Sequence, residues 1–66
     1  MTNHKSILRL HEVIKTTGLG RSTIYRDINL GNFPKPIKLG KKSTGWVSSD
    51  ISDWIDSRIQ ARDEEA

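Results

Sequence analysis

Five polar side chains crowd into one stretch of nine residues: Arg21, Ser22, Thr23, Arg26 and Asn29. Wound as an α-helix at about 100° per residue, Ser22, Arg26 and Asn29 fall on one side, flanked by Thr23 and Arg21. Ile24 and Ile28, at i and i+4, fall on the other. Guanidinium, carboxamide and hydroxyl groups turned outward are the donors and acceptors that bind base edges and phosphate oxygens. Every surface helix is polar outside, so the face takes its meaning from its place in the chain. A second set follows at Lys38, Lys41, Lys42, Ser43 and Thr44, cations and hydroxyls interleaved with Gly40 and Gly45.

The elements that must position the first set are written on either side of it. Ile7-Leu8-Arg9-Leu10 is a small strand or an extended entry to a first helix. Leu10, Val13, Ile14 and Thr17 recur at i, i+3, i+4 and i+7, which predicts that helix over roughly 11–17. Gly18 stops it, because a residue without Cβ enters the left-handed region at little cost. Leu19, the lone apolar residue of the turn, plugs the angle between two helices. The second helix is predicted over 21–30 with Gly31 as its stop, and its N-cap falls on Gly20. Glycine there costs only a few tenths of a kcal/mol relative to serine and leaves the first amides open to a phosphate. Two short helices joined by a glycine-containing turn form a helix-turn-helix, which lays its second helix in the DNA major groove. Tyr25 lies between the two faces and reads as a half-buried packing residue rather than a base-stacking one.

Asn32-Phe33-Pro34-Lys35-Pro36 is extended, since alternate prolines fix the path and exclude helix, and Phe33 anchors it to the core. Ile37-Lys38-Leu39 alternates, residues 40–45 are rich in turn formers, and Trp46-Val47 resumes an apolar strand, which predicts a β-hairpin with lysines at its tip. A hairpin after a helix-turn-helix is a wing, placed to lie over the phosphate backbone or adjacent minor groove. Gly40-Lys41-Lys42 is no P-loop: that pattern needs Ser or Thr directly after Gly-Lys and a glycine where Lys35 stands. Ser48-Ser49-Asp50 opens a third helix, with hydroxyls suited to cap it. Its stripe of Ile51, Trp54, Ile55 and Ile59 places Trp54 in the core, while Asp53, Asp56 and Gln60 face away. Residues 62–66 offer no apolar anchor and are expected to fray, as residues 1–5 are expected to be flexible.

Sixty-six residues make a single domain, with its core over about 7–60 and only 33% hydrophobic residues to build it. Charge is divided unevenly. Residues 1–47 hold nine Lys and Arg against two acids, a balance of +7; residues 48–66 hold two Arg against six acids, a balance of −4. That asymmetry points to a polyanion on one side of the molecule. There is no cysteine, and His4 with His11 lacks a third ligand, so no metal site, cofactor or catalytic constellation is expected. No stretch approaches the roughly 18 apolar residues of a membrane span, and no signal peptide is evident, so a soluble, cytoplasmic, non-enzymatic protein is expected.

The run Arg21-Ser22-Thr23-Ile24-Tyr25-Arg26, the Phe33-Pro34-Lys35-Pro36 path and the late Gly45-Trp46, with Thr17-Gly18-Leu19 and Trp54-Ile55, occur together and in order. Over roughly residues 7–60 the chain resembles the AlpA family of prophage regulatory proteins. The resemblance implies a mainly α fold with a small β-hairpin, a winged helix-turn-helix of three helices plus wing, related to MerR-like regulators and phage excisionases. It implies binding of double-stranded DNA, either as a transcriptional regulator of phage or genomic-island genes or as a recombination directionality factor assisting an integrase, with several copies on one DNA. Gly20 departs from the serine usual in the family at that cap. A protein-interaction module built on the Trp54 helix is the reading from another class; RNA binding lacks a recognised module.

Overall fold

The computed structural model describes residues 6–65. His4 and the rest of the N-terminal run 1–5 lie outside the described residues. Chain order is β1 (Ile7–Leu8), α1 (Leu10–Thr17), α2 (Arg21–Asn29), β2 (Ile37–Lys38), β3 (Thr44–Val47) and α3 (Ser48–Glu65).

Backbone chemistry sets each helix boundary. α1 opens at Arg9, whose N–H donates to the Glu12 carboxylate at 2.9 Å, the glutamate half of a capping box. It closes at Gly18, which takes φ 77° and donates its N–H to the Ile14 carbonyl at 2.8 Å. Thr17 reinforces that end: its hydroxyl donates to the Val13 carbonyl at 2.7 Å and accepts the Leu19 N–H at 3.3 Å. The turn over 18–20 is therefore held by hydrogen bonds, with half-buried Leu19 packed on the core as expected. α2 starts after Gly20 without a side-chain cap. It ends in a Schellman closure, with Asn32 N–H to Asp27 O at 2.8 Å, Gly31 N–H to Ile28 O at 3.1 Å, and Gly31 at φ 80°.

The three strands form an antiparallel sheet in the order β1-β3-β2. Ile7 pairs with Val47 and Leu8 with Trp46 on one edge; Ile37 pairs with Gly45 and Lys38 with Thr44 on the other. The run at residues 7–8 is thus a strand, and it turns the predicted two-stranded wing into a three-stranded sheet. α3 follows β3 with no residue between them. Ser48 does not spend its hydroxyl capping α3: Ser48 Oγ accepts the Ser6 N–H at 3.2 Å, and Ser48 N–H donates to the Ser6 carbonyl at 2.8 Å. α3 runs through Glu65.

The core is small and evenly drawn. Val13, Ile24, Phe33, Trp46 and Ile51 are buried, one from α1, one from α2, one from the Asn32–Pro36 path, one from β3 and one from α3. The deep tryptophan is Trp46, fully buried, and not Trp54, which is half-buried against the rim. Trp54 packs edge-on to Phe33 at 4.9 Å between ring centroids and donates its indole N–H to the Asn32 carbonyl at 2.8 Å. Ile59 is 45% exposed, because the apolar stripe of α3 outruns the body it packs against. No helix among the described residues is long and apolar enough to cross a membrane.

Trp46→Ala should cost about 3–5 kcal/mol, as removal of a fully buried aromatic does, and leave the protein largely unfolded at 37 °C. Trp54→Ala, already part-solvated, should cost about 1–3 kcal/mol and still show a cooperative transition. Circular dichroism melts rank the two; the opposite order would mean that Trp54 carries the core.

Candidate nucleic-acid interface

α2 presents the predicted face to solvent. Ile24 is fully buried and Ile28 packs beneath it, so Arg21, Ser22, Arg26 and Asn29 are exposed and Thr23 is half-buried on a flank. Arg26 Nε lies 3.6 Å from Asp27 Oδ1, with the arginine side chain 68% exposed. A contact that long and that solvated is worth at most about 1 kcal/mol, so it does not tie the guanidinium down. The two flanks of α2 have different neighbours. Asp27 lines a hollow with Leu19, Asn32 and the α3 residues Trp54, Ser57 and Arg58, while Tyr25 packs against Trp46 of the wing sheet, with ring centroids 6.4 Å apart.

That tyrosine contact fixes which side of the sheet faces α2. Strand alternation and register put Leu8, Lys38 and Thr44 on the same side as Trp46. Lys38 and Thr44 therefore share a side with α2. Lys41 and Lys42 stand exposed at the hairpin tip. Ser43 is half-buried, and its carbonyl closes the tip by accepting the N–H groups of Leu39 at 2.8 Å and Gly40 at 3.3 Å. The ten residues singled out in the sequence thus fall into two groups, one on α2 and one on the wing, joined through Trp46.

The other side of the sheet carries Ile7, Ile37, Leu39 and Val47 around Gly45, an apolar surface unseen in the sequence because the pairing of β1 with β3 is non-local. A Cβ on Gly45 would run into the side chains of Ile7 and Leu39. The glycine is what allows these two to close over the central strand. α3 carries six of the eight acids against two arginines, and Asp50, Asp53 and Asp56 are exposed along it. A hollow of about 570 Å³ between residues 31–35 and α3 is lined by Asp50 and Asp53 opposite Lys35, with Phe33 and Trp54 between. Among the described residues no cluster of His, Cys, Asp or Glu is arranged to hold a metal ion.

A tri-helical body built on a helix-turn-helix, with an antiparallel hairpin beside its second helix, is a winged helix-turn-helix. Residues 6–59 match the family described as "Prophage CP4-57 regulatory protein (AlpA)", and the chain belongs to that family, the one its motifs resemble. The DNA-binding transcriptional activator AlpA of Escherichia coli (strain K12) is 43% identical over 60 residues, covering 82% of this chain and 86% of that protein. An uncharacterized protein of Enterobacteria phage P4, ORF88, is 44% identical over 55 residues, covering 83% of this chain but only 62% of the phage protein.

Gly45→Ala should destabilise the protein by about 1–3 kcal/mol through overpacking against Ile7 and Leu39. The penalty should shrink in an Ile7→Ala background, because the two side chains compete for one space. Thermal melts of the four members of that cycle check it; simple additivity would place the strain elsewhere.

Proposed function

We propose that this protein is a sequence-specific double-stranded DNA-binding regulator of phage or genomic-island genes, acting in the cytoplasm without catalysis. The observation that carries the proposal is the exposed polar face of α2 next to a wing whose Lys38 and Thr44 lie on the sheet face that meets Tyr25 of α2, with six of the eight acids on α3. On this reading α2 enters the major groove, where Arg26 and Asn29 bind base edges and Arg21, Ser22 and Thr23 bind bases or phosphates near the entry. Lys38, Lys41, Lys42, Ser43 and Thr44 lie over the backbone and supply affinity without sequence. The activator named among its relatives supports the regulatory reading. Footprinting on DNA around the protein's own gene tests it. One protected site at a promoter fits a regulator; a row of sites at a recombination junction fits a directionality factor working with an integrase.

Arg26→Ala should weaken binding to the protected site by about 1–3 kcal/mol and relax preference at one or two base pairs. Unchanged affinity and preference would remove Arg26 from the reading face. Replacing Lys41 and Lys42 with Ala should weaken protected and random duplexes alike, and flatten the salt dependence by about 0.9 in log–log slope per lost phosphate contact. A loss confined to the protected sequence would mean that the wing reads bases. Both are measured by fluorescence anisotropy titrations at several salt concentrations.

A further inference from the structure

We propose that the hydroxyl of Tyr25 donates a hydrogen bond to a DNA phosphate lying in the crease between α2 and the wing. This rests on the DNA-binding reading above and adds to it a contact of a different kind, neutral and preorganised.

Tyr25 is 38% exposed although its ring packs against Trp46. The two rings are tilted by 59°. Trp46 itself is fully buried, and its indole N–H donates to the Pro34 carbonyl at 3.0 Å, so Tyr25 rests on a side chain anchored by packing and a hydrogen bond. Part of the ring is thereby committed to packing on the wing sheet. Its hydroxyl, in contrast, has no hydrogen-bond partner among the described residues. A phenylalanine would make the same ring contact, so packing alone leaves the oxygen without a role.

The surroundings name the acceptor. Helical side chains lean toward the helix N-terminus, so Tyr25 leans toward the turn that carries Arg21, four residues earlier. Across the crease, on the sheet side that bears Trp46, are Lys38 and Thr44. Arg21, one helical turn before Tyr25, and Lys38, on the sheet face that Tyr25 meets, are the cations nearest to it by helix position and strand register, the complement of an anionic oxygen. When a helix occupies the major groove and a hairpin the adjacent minor groove, the sugar-phosphate backbone separating the grooves passes between them. Tyrosine is among the side chains that bond phosphate in this way. Being neutral, it releases no counterion, which separates its contribution from that of the lysines and arginines.

The test is Tyr25→Phe, titrated by fluorescence anisotropy against the protected duplex and a scrambled one at several salt concentrations, together with a thermal melt. The expected result is about tenfold weaker binding to both duplexes, with the salt slope and the melting temperature unchanged. Replacing single phosphates of the protected duplex by neutral methylphosphonates should reveal one position at which the replacement costs the wild type more than it costs Tyr25→Phe, the difference being the coupling to the hydroxyl. Equal affinity of Tyr25→Phe and wild type overturns the proposal. So does a loss seen only on the protected duplex, which would assign the hydroxyl to a base, or a lowered melting temperature, which would assign it to the fold. Absence of salt-dependent DNA binding by the wild type would overturn the DNA reading itself, and that result is visible before any variant is made.

Discussion

Two tryptophans grip the same short stretch of backbone. Trp54 of α3 donates its indole N–H to the carbonyl of Asn32, and Trp46 of β3 donates to the carbonyl of Pro34, with Phe33 buried between them. The stretch suits that role because, apart from the Asn32 N–H that closes α2 on Asp27, it belongs to no helix or strand. Proline has no N–H and a fixed φ, which leaves neighbouring carbonyls unspent on regular structure and holds them on a stiff path. Those carbonyls pair with the only donors that two otherwise apolar rings possess. The wing, the third helix and the end of the second are all referred to this segment, so the placement of α2 relative to the wing depends on it.

The rest of the body is arranged to need little more. Five buried residues from five segments meet at one point, so each element contributes a single deep anchor and a few half-buried neighbours. Such a core has no redundancy. What it lacks in volume is offset by well-made ends: a glutamate at the start of α1, glycines at positive φ after α1 and α2, and a threonine bonded to both sides of the first turn. α2 is short and uncapped at its start, and its orientation comes from the closures around it rather than from its own propensity.

What the sequence disclosed and what it hid follow from the range of the interactions involved. The helix-turn-helix was legible because its signals are local: Val13 and Ile14 on one side of α1, Gly18 after it, Ile24 and Ile28 under α2, Gly31 at its end. The hairpin was legible for the same reason. The ranking of the two tryptophans was not. Trp54 lies in an apolar stripe of helical period, and periodicity reports which way a residue points but not whether anything lies there. Trp46 lies in a four-residue strand with no periodicity to speak of, yet it is central because β1, forty residues earlier in the chain, pairs alongside it. The same pairing claimed Ser48, whose type and position were those of a helix cap but whose hydroxyl accepts from Ser6. Of the candidate site, the α2 face was legible residue by residue; the placement of Lys38 and Thr44 on the sheet face that meets α2 through Tyr25 required the register.

The junction of β3 and α3 has a mechanical consequence. Val47 ends the strand and Ser48 begins the helix, with no loop to take up rotation between them. The first residue of the helix is also bonded to Ser6, beside β1, so the joint is braced from the side. A displacement of the hairpin tip, where Lys41 and Lys42 stand, therefore finds no loop at this joint to absorb it, and the eighteen-residue helix beyond carries Asp63, Glu64 and Glu65 at its far end.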